Sequence, residues 1–497
     1  MIKRIASILA VATCMALLPG NAARSASSFT FFGSGWGHGI GLSQYGALGL
    51  AKAGWAAKRI VKHYYDNVNV SKKSPPVGTI KVGLLQYRST TKLTAAAGSF
   101  ELKLKNGKHV DTVKSGQSRI VSIVNGRYKV KKANGVVIGD LWGGDHNHLF
   151  AVRKGGRISV PAWGHQVGRG KVQFDIVNNG AAHVLAVVPV ERYVYGIAEV
   201  PSLWPYPALR AQAILARSYA YWRLAGAKRS GCSCDVYTTT VDQAYVGWTK
   251  ESSTGGNRWV SAVKQTVKKV VTYGGKFVYT PYSSSSGGHT EDIEKVWVGA
   301  APSPYLNGVC DPRDDNAANP NTTWSVKYSA SAVTSKLGLN IGTVTKFKDY
   351  NRGVSGRVTT VRVVGKQGSK VVEGWDIRSS LGLKDIRFSV NKNLNITGKI
   401  RAKYDNEGCK PGRATGSKKD IKSGAYQRFK KGRIYANGPA DKVVWIRAAV
   451  LQKYLDVGGH NGKLGLPRKY VNVQGGTKGV FDGGTIVCTS GCTVKYS

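Results

Sequence analysis

Residues 189–222, PVERYVYGIAEVPSLWPYPALRAQAILARSYAYW, constrain the fold of this chain more than any other stretch. Pro207 suits the first turn of a helix, and Leu209, Ala213, Ala216 and Ala220 recur at helical spacing, which predicts a helix over 207–224. Its inward stripe is mostly alanine, so the backbone must pack closely on its neighbour. That neighbour is expected to be a sheet. Residues 79–86, 100–104, 118–124, 157–160 and 172–177 are β-branched or alternating, with turns containing Gly and Asn between them. Further strands are expected at 267–273, 277–279 and 358–364. The predicted fold class is α+β, a mostly antiparallel sheet body with a few packed helices. No repeat of solenoid type is evident.

The same stretch sets one carboxylate, Glu199, between apolar residues. A short helix expected over 191–197 ends just before it, and Val200 and Pro201 follow. An acid among apolar side chains is desolvated, which disfavours its charged form and lets it donate a proton near neutral pH. Cleavage of a glycosidic bond needs such a group. The competing structural reading makes Glu199 a cap or an ion-pair partner of Arg192 or Arg217.

Lys and Arg number 73 against 27 Asp and Glu, a formal charge of +46. Such a field concentrates polyanions: nucleic acid, anionic lipid or an anionic cell-wall polymer. Location decides among them. Lys3 and Arg4 precede an apolar run over 5–18, and Ala22, Ala23, Arg24, Ser25 and Ala26 follow, the order of a secretory signal peptide. The run falls short of the roughly 20 apolar residues of a membrane span, and no later stretch is apolar enough. The expectation is an exported protein, extracellular or wall-associated, with no transmembrane segment after cleavage and wall polymers and glycans rather than nucleic acid as partners.

Removal of the leader takes Cys14 and leaves Cys232, Cys234, Cys310, Cys409, Cys488 and Cys492. An even number in an exported chain favours disulfides, and Cys488 and Cys492 are near enough to close a small loop. Cys232, Cys234, Cys310 and His289 form an alternative zinc set, although Cys-Ser-Cys lacks the usual two-residue gap. No other cofactor or metal is expected. The cluster Asp145-His146-Asn147-His148 reads as exposed loop.

Two more stretches carry chemistry. In residues 29–65, Gly33, Gly35, Gly37, Gly39 and Gly41 surround His38 and lead into Ser43, Gln44 and Tyr45. Glycine removes the barrier to close backbone approach, so the loop suits a ligand site. The Walker lysine is absent, which excludes a nucleotide loop. The plainer alternative is a glycine-rich turn with His38 exposed. Residues 277–297 gather Tyr282, Ser284, Ser285, Ser286, a Gly pair and His289; hydroxyls read sugar hydroxyls, and Tyr and Trp offer flat faces to sugar rings. No Gly-x-Ser-x-Gly elbow marks a nucleophilic serine.

Together these stretches resemble the SpoIID/LytB family, the sporulation stage II protein D and amidase-enhancer group, over about residues 29–393. The matching pieces are Tyr193 to Gly196 with Glu199, Pro201, Trp204 and Pro205; Ala208-Leu209-Arg210-Ala211-Gln212-Ala213; Ala216-Arg217-Ser218-Tyr219-Ala220; Gln243-Ala244-Tyr245; the loop from Ser283 to Gly288; and Gly37-His38-Gly39 with Ser43-Gln44-Tyr45-Gly46-Ala47. The resemblance implies a lytic transglycosylase that cleaves peptidoglycan glycan strands stripped of stem peptides, with Glu199 as the single catalytic acid/base and Arg217 as a functional arginine. It also implies substrate contacts from His38, Ser43, Gln44, Tyr45, Gln212, Tyr282, Ser284, Ser285, Ser286 and His289. Gln212 and Arg217, five residues apart, do not share one helix face. Other family members are regarded as enhancers, which makes an N-acetylmuramoyl-L-alanine amidase a candidate partner and a non-catalytic glycan-binding or structural wall protein the alternative function.

This chain departs from the sporulation-type pattern in two respects. The Gly-His-Gly motif precedes everything else, so it must fold back to the same place, and Val200 replaces the methionine common after the Glu. Beyond residue 425 the chain resembles LGFP repeats, with Leu464-Gly465-Leu466-Pro467 and Phe481-Asp482-Gly483-Gly484-Thr485-Ile486. The expected organisation is a signal peptide over 1–26, a Gly-rich segment over 27–75, a core domain over 76–397, a basic linker over 398–424 and a β-rich wall-binding module over 425–497.

Overall fold

The computed structural model describes residues 28–141, 148–297 and 299–497. The expected signal peptide and residues 145–147 of the acidic-histidine cluster lie outside the described residues.

The body is an eleven-stranded sheet. Thr79–Arg88, Thr90–Leu104, Ser118–Val124, His148–Val160, Lys171–Asn178 and Ala181–Pro189 pair antiparallel within it, and Val236–Tyr237 adds in parallel at the edge beside Thr79–Arg88. The two longest strands run further than their sequence pattern predicted. Residues 94–98 are Ala- and Gly-rich, with weak strand propensity. Pairing with His148–Val160 carries them through a register shift beside Gly155 and Gly156.

The predicted helix forms as Tyr206–Leu224, buried on both sides. Leu209, Ala213, Ala216 and Ala220 face the core of the sheet. Ala208, Ala211, Ile214 and Leu215 face a second core made with the N-terminal segment. Full burial of Leu209, Ile214 or Leu215 contributes about 1.5–3 kcal/mol each. The alanine faces let sheet and helices approach from opposite sides.

The N-terminal segment folds back as its displaced motif requires. Strand Ser28–Gly33 inserts between Trp324–Ser329 and Phe388–Val390, antiparallel to both. Leu42–Ser43 pairs in parallel with Tyr282–Ser283. Helices Gln44–Lys52 and Ala57–Tyr64 then pack on Tyr206–Leu224. A three-stranded meander, Val344–Arg352, Val358–Gly365 and Gly368–Glu373, with helix Gly374–Leu381, completes this part.

The C-terminal region is β-rich: two four-stranded meanders, from Lys419–Ile421 to Lys442–Ile446 and from Pro467–Val473 to Cys492–Tyr496, flank helix Ala448–Asp456. Residues 398–424 differ from the expected linker. They contain helix Gly398–Asn406, whose Ile400 and Tyr404 are buried with Ile434 and Trp445. The polar composition there misled because a few well-spaced apolar residues suffice to dock one short helix.

The cysteines form three disulfides, Cys232–Cys234, Cys310–Cys409 and Cys488–Cys492. The alternative zinc set is therefore not assembled, since Cys232 and Cys234 are bonded to each other and Cys310 to Cys409. The fold is α+β, and among the described residues no helix is long and apolar enough to cross a membrane.

Candidate functional site

Glu199 is held by backbone pairing. After the 3-10 turn Val194–Gly196, Ile197 bridges Tyr245, and the Ala198 amide donates to the Ala244 carbonyl at 2.8 Å. The Ala244 amide in turn donates to Glu199 Oε1 at 2.7 Å. Glu199 thus sits on a short, doubly tied strand pair ahead of the long helix.

The carboxyl opens into a cleft of about 640 Å³. Trp36, Tyr279, Trp297 and Trp375 supply aromatic lining, and His38, Gln44, Tyr282, Ser283, Ser284 and Arg378 supply polar groups. Burial raises the pKa of Glu199 above the ordinary 4.5, outweighing the opposing hydrogen bonds from Ala244, Gln44 and Tyr282 and the charge of Lys250. Lys250 is itself lowered to about 8 by burial, and its Nζ donates to the Val200 carbonyl at 2.7 Å.

A relay of side chains orients the groups around the acid. The Tyr193 hydroxyl donates to Gln243 Oε1 at 2.9 Å, and Gln243 Nε2 donates to the Tyr282 hydroxyl at 2.8 Å. With its lone pair so engaged, the Tyr282 hydroxyl is free to donate to Glu199. Asp242 also reaches the cleft, but it accepts from the Tyr219 hydroxyl at 2.5 Å and the Tyr237 amide at 2.8 Å and pairs with Arg229. Both of its oxygens are thus engaged, whereas Glu199 Oε1 accepts from the Ala244 amide.

The Gly-rich loop reaches this cleft through contacts that glycine alone permits. A Cβ on Gly39, whose φ is +71°, would lie 2.0 Å from Arg357 Cζ, and one on Gly37 would lie 2.6 Å from Ser283 Cβ. His38 Nδ1 accepts the Ile40 amide at 3.0 Å, so Nε2 carries the proton and donates to the Tyr282 carbonyl at 3.0 Å. Burial, with Arg357 and Arg378 nearby, lowers its pKa to about 4. His38 is a neutral part of the wall, not an exposed turn residue.

The sequence-derived site residues divide sharply. Glu199, His38, Gln44, Tyr282 and Ser284 line the cleft. Gln212 lies beneath it, with Oε1 3.5 Å from Gln44 Nε2. Tyr45 lies outside the cleft lining, packed on Trp204 with ring centroids 5.4 Å apart, and its amide donates to the Ser284 carbonyl.

Arg217 does not line the cleft. Its fully buried guanidinium pairs with Glu191 at 2.9 Å and donates to the carbonyls of Val263 and Lys269. The expected functional arginine is a structural cross-brace. The ion pair of Glu199 with Arg192 or Arg217 that the competing structural reading offered is likewise not formed: Arg192 donates to the Tyr195 hydroxyl and Arg217 pairs with Glu191.

Ser43, Ser285 and Ser286 also turn away from the cleft. Ser43 caps helix Gln44–Lys52, accepting the Gly46 amide at 3.2 Å, and donates to Asp314 at 2.7 Å. Ser285 donates to Asp314 at 2.8 Å and Ser286 to Asp311 at 2.7 Å. His289 is held at the Thr290 carbonyl, and its own carbonyl accepts from Arg357. Hydroxyl-rich sequence marks the loop but not which of its oxygens face the cleft. Trp36, Trp375, Arg378 and Asp242 line the cleft as well; of these only Trp36, which adjoins Gly37-His38, carries a signal in the sequence. Among the described residues no cluster of three or more His, Cys, Asp or Glu side chains has metal-site geometry.

The described site is a desolvated carboxyl under aromatic side chains on an α+β scaffold. Comparison with known proteins supplies the kinship. Residues 178–273 match the family model described as stage II sporulation protein, SpoIID, and residues 412–462 match the LGFP repeat. The chain is 29% identical over 234 residues to stage II sporulation protein D of Bacillus amyloliquefaciens, covering 44% of this chain and 65% of that protein. It is 33% identical over 138 residues to the amidase enhancer of Bacillus subtilis (strain 168), covering 28% of this chain and 17% of that protein. The chain thus spans less than two thirds of the length of these curated relatives. The resemblance read from the sequence holds.

Proposed function

We propose that this protein is an exported lytic transglycosylase acting on peptidoglycan glycan strands that lack stem peptides. The observation that carries the reading is Glu199: a carboxyl whose pKa burial raises, in an aromatic-lined cleft whose other carboxylate, Asp242, is engaged by Tyr219, Tyr237 and Arg229. Glu199 protonates the glycosidic oxygen leaving MurNAc C1. The resulting carboxylate takes the proton of the C6 hydroxyl, whose oxygen attacks C1 and closes a 1,6-anhydro ring. One carboxyl serves both steps because the nucleophile belongs to the substrate. The Tyr282 hydroxyl steadies the carboxylate between the steps, and Trp36, Trp297 and Trp375 offer faces to sugar rings. The net charge of +46 suits strands bearing lactyl carboxylates, and the LGFP-like region suits attachment to the wall.

The second reading, a non-catalytic enhancer that binds glycan and an amidase, is favoured by the match to the amidase enhancer. Incubation with denuded strands followed by mass spectrometry separates the two. Anhydro-ended muropeptides are expected with the wild type and not with Glu199→Gln. Strand binding by both without such ends supports the enhancer.

A further inference from the structure

A second cavity, of about 40 Å³, lies where the core meets the C-terminal region, and four arginines line it: Arg352, Arg387, Arg401 and Arg413. Its lining contains no carboxylate. This site plays no part in the cleavage reading.

Four guanidiniums gathered with so little countercharge need an explanation, because like charges at close quarters are costly away from water. Arg352 Nη1 donates to the carbonyls of Gly356 at 2.7 Å and Phe388 at 2.8 Å, and Arg387 donates to the Gly287 carbonyl. These bonds fix the two side chains without neutralising them. Arg401 Nε pairs with Asp405 at 2.7 Å, with Asp315 at 3.9 Å, yet its buried Nη2 has no hydrogen-bond partner among the described residues. The residue is 6% exposed. A Cβ on Gly288 would lie 2.5 Å from that same nitrogen, so the glycine leaves the guanidinium its place. Burial lowers both Arg352 and Arg387 to about 10, with added repulsion from Arg413 and Arg387 on the first and from Arg357 and Arg401 on the second.

We infer that this junction binds a phosphate group, as free phosphate or as the phosphate of an anionic wall polymer, between the guanidiniums of Arg352, Arg387, Arg401 and Arg413. A water needs roughly 10–15 Å³ of such volume, so the cavity has room for about three waters or one tetrahedral oxyanion. Guanidinium forks match phosphate oxygens in charge and geometry. Arg352 and Arg387 come from the core, whereas Arg413 lies inside the span matching the LGFP repeat, so an anion here ties the two regions together.

The test uses the full chain and Arg413→Met, with Arg413→Lys as the variant that keeps the charge. Millimolar inorganic phosphate is expected to raise the melting temperature of the wild type above that in chloride of equal ionic strength. Isothermal titration should show binding weakened about tenfold or more by Arg413→Met and largely kept by Arg413→Lys. Without phosphate, Arg413→Met should melt no lower than the wild type, because it relieves repulsion; a purely structural arginine would lower it. Dimethyl phosphate distinguishes the sources: binding points to polymer diesters, and exclusion points to free phosphate. No phosphate-specific shift in the wild type, or an equal shift in Arg413→Met, overturns the proposal.

Discussion

His38 Nε2 lies 3.0 Å from the carbonyl oxygen of Tyr282, a residue 244 positions further along the chain. That bond joins the Gly-rich N-terminal loop to the tyrosine whose hydroxyl faces Glu199. The geometry around Glu199 therefore depends on a neutral imidazole.

His38 should remain neutral until far below its ordinary 6.5, with a midpoint of about 4. A folded-state pKa below the unfolded value means stability present above 6.5 and lost as pH falls through about 4. NMR titration of the His38 ring checks this. A midpoint near 6.5 would show the ring to be solvated.

Glu199→Gln should lower the cleavage rate by about 10²- to 10⁴-fold, the usual contribution of a general acid–base group. Stability should move the other way. The raised pKa of Glu199 means that the wild type loses stability as pH rises above the ordinary 4.5, a loss Gln does not suffer. Urea unfolding at neutral pH should therefore find the variant at least as stable as the wild type.

Arg217→Met should act on stability, not on sugar binding. It removes the guanidinium bonds to Glu191 and to the carbonyls of Val263 and Lys269, at a cost of about 3 kcal/mol. Denaturation midpoints should fall, while strand affinity of the folded fraction stays unchanged. A weakened affinity at unchanged stability would return Arg217 to the ligand site.

Asp311 and Asp314 form a buried pair under the serine loop. Burial and the neighbouring Asp314 raise Asp311 from 3.8 to about 8. Between those values the unfolded chain gives up a proton that the folded protein keeps, so stability falls as pH rises through this window. Asp311→Asn should flatten that slope in urea melts recorded from pH 4 to 8.

Replacing both Cys310 and Cys409 with Ser should loosen the C-terminal region from the core. The bridge spans 99 residues, for which loop-closure entropy predicts about 4–5 kcal/mol. Limited proteolysis should then cut within residues 393–424 in the variant and spare them in the wild type.

Local pattern decided much of this protein. Helical spacing from Leu209 to Ala220 placed the long helix, alternation placed most strands, and an acid flanked by apolar residues marked Glu199, because each signal depends on neighbours within a few positions. The glycines around His38 announced close backbone contact without saying with what. The tertiary structure decided the rest. It turned Arg217 toward Glu191, gave Ser43, Ser285 and Ser286 to Asp314 and Asp311, brought Trp36 and Trp375 to one cleft, and docked the polar 398–424 segment through Ile400 and Tyr404. A side chain's partner across the fold is fixed by which elements pack together, whereas its residue type fixes only what that partner must be able to do.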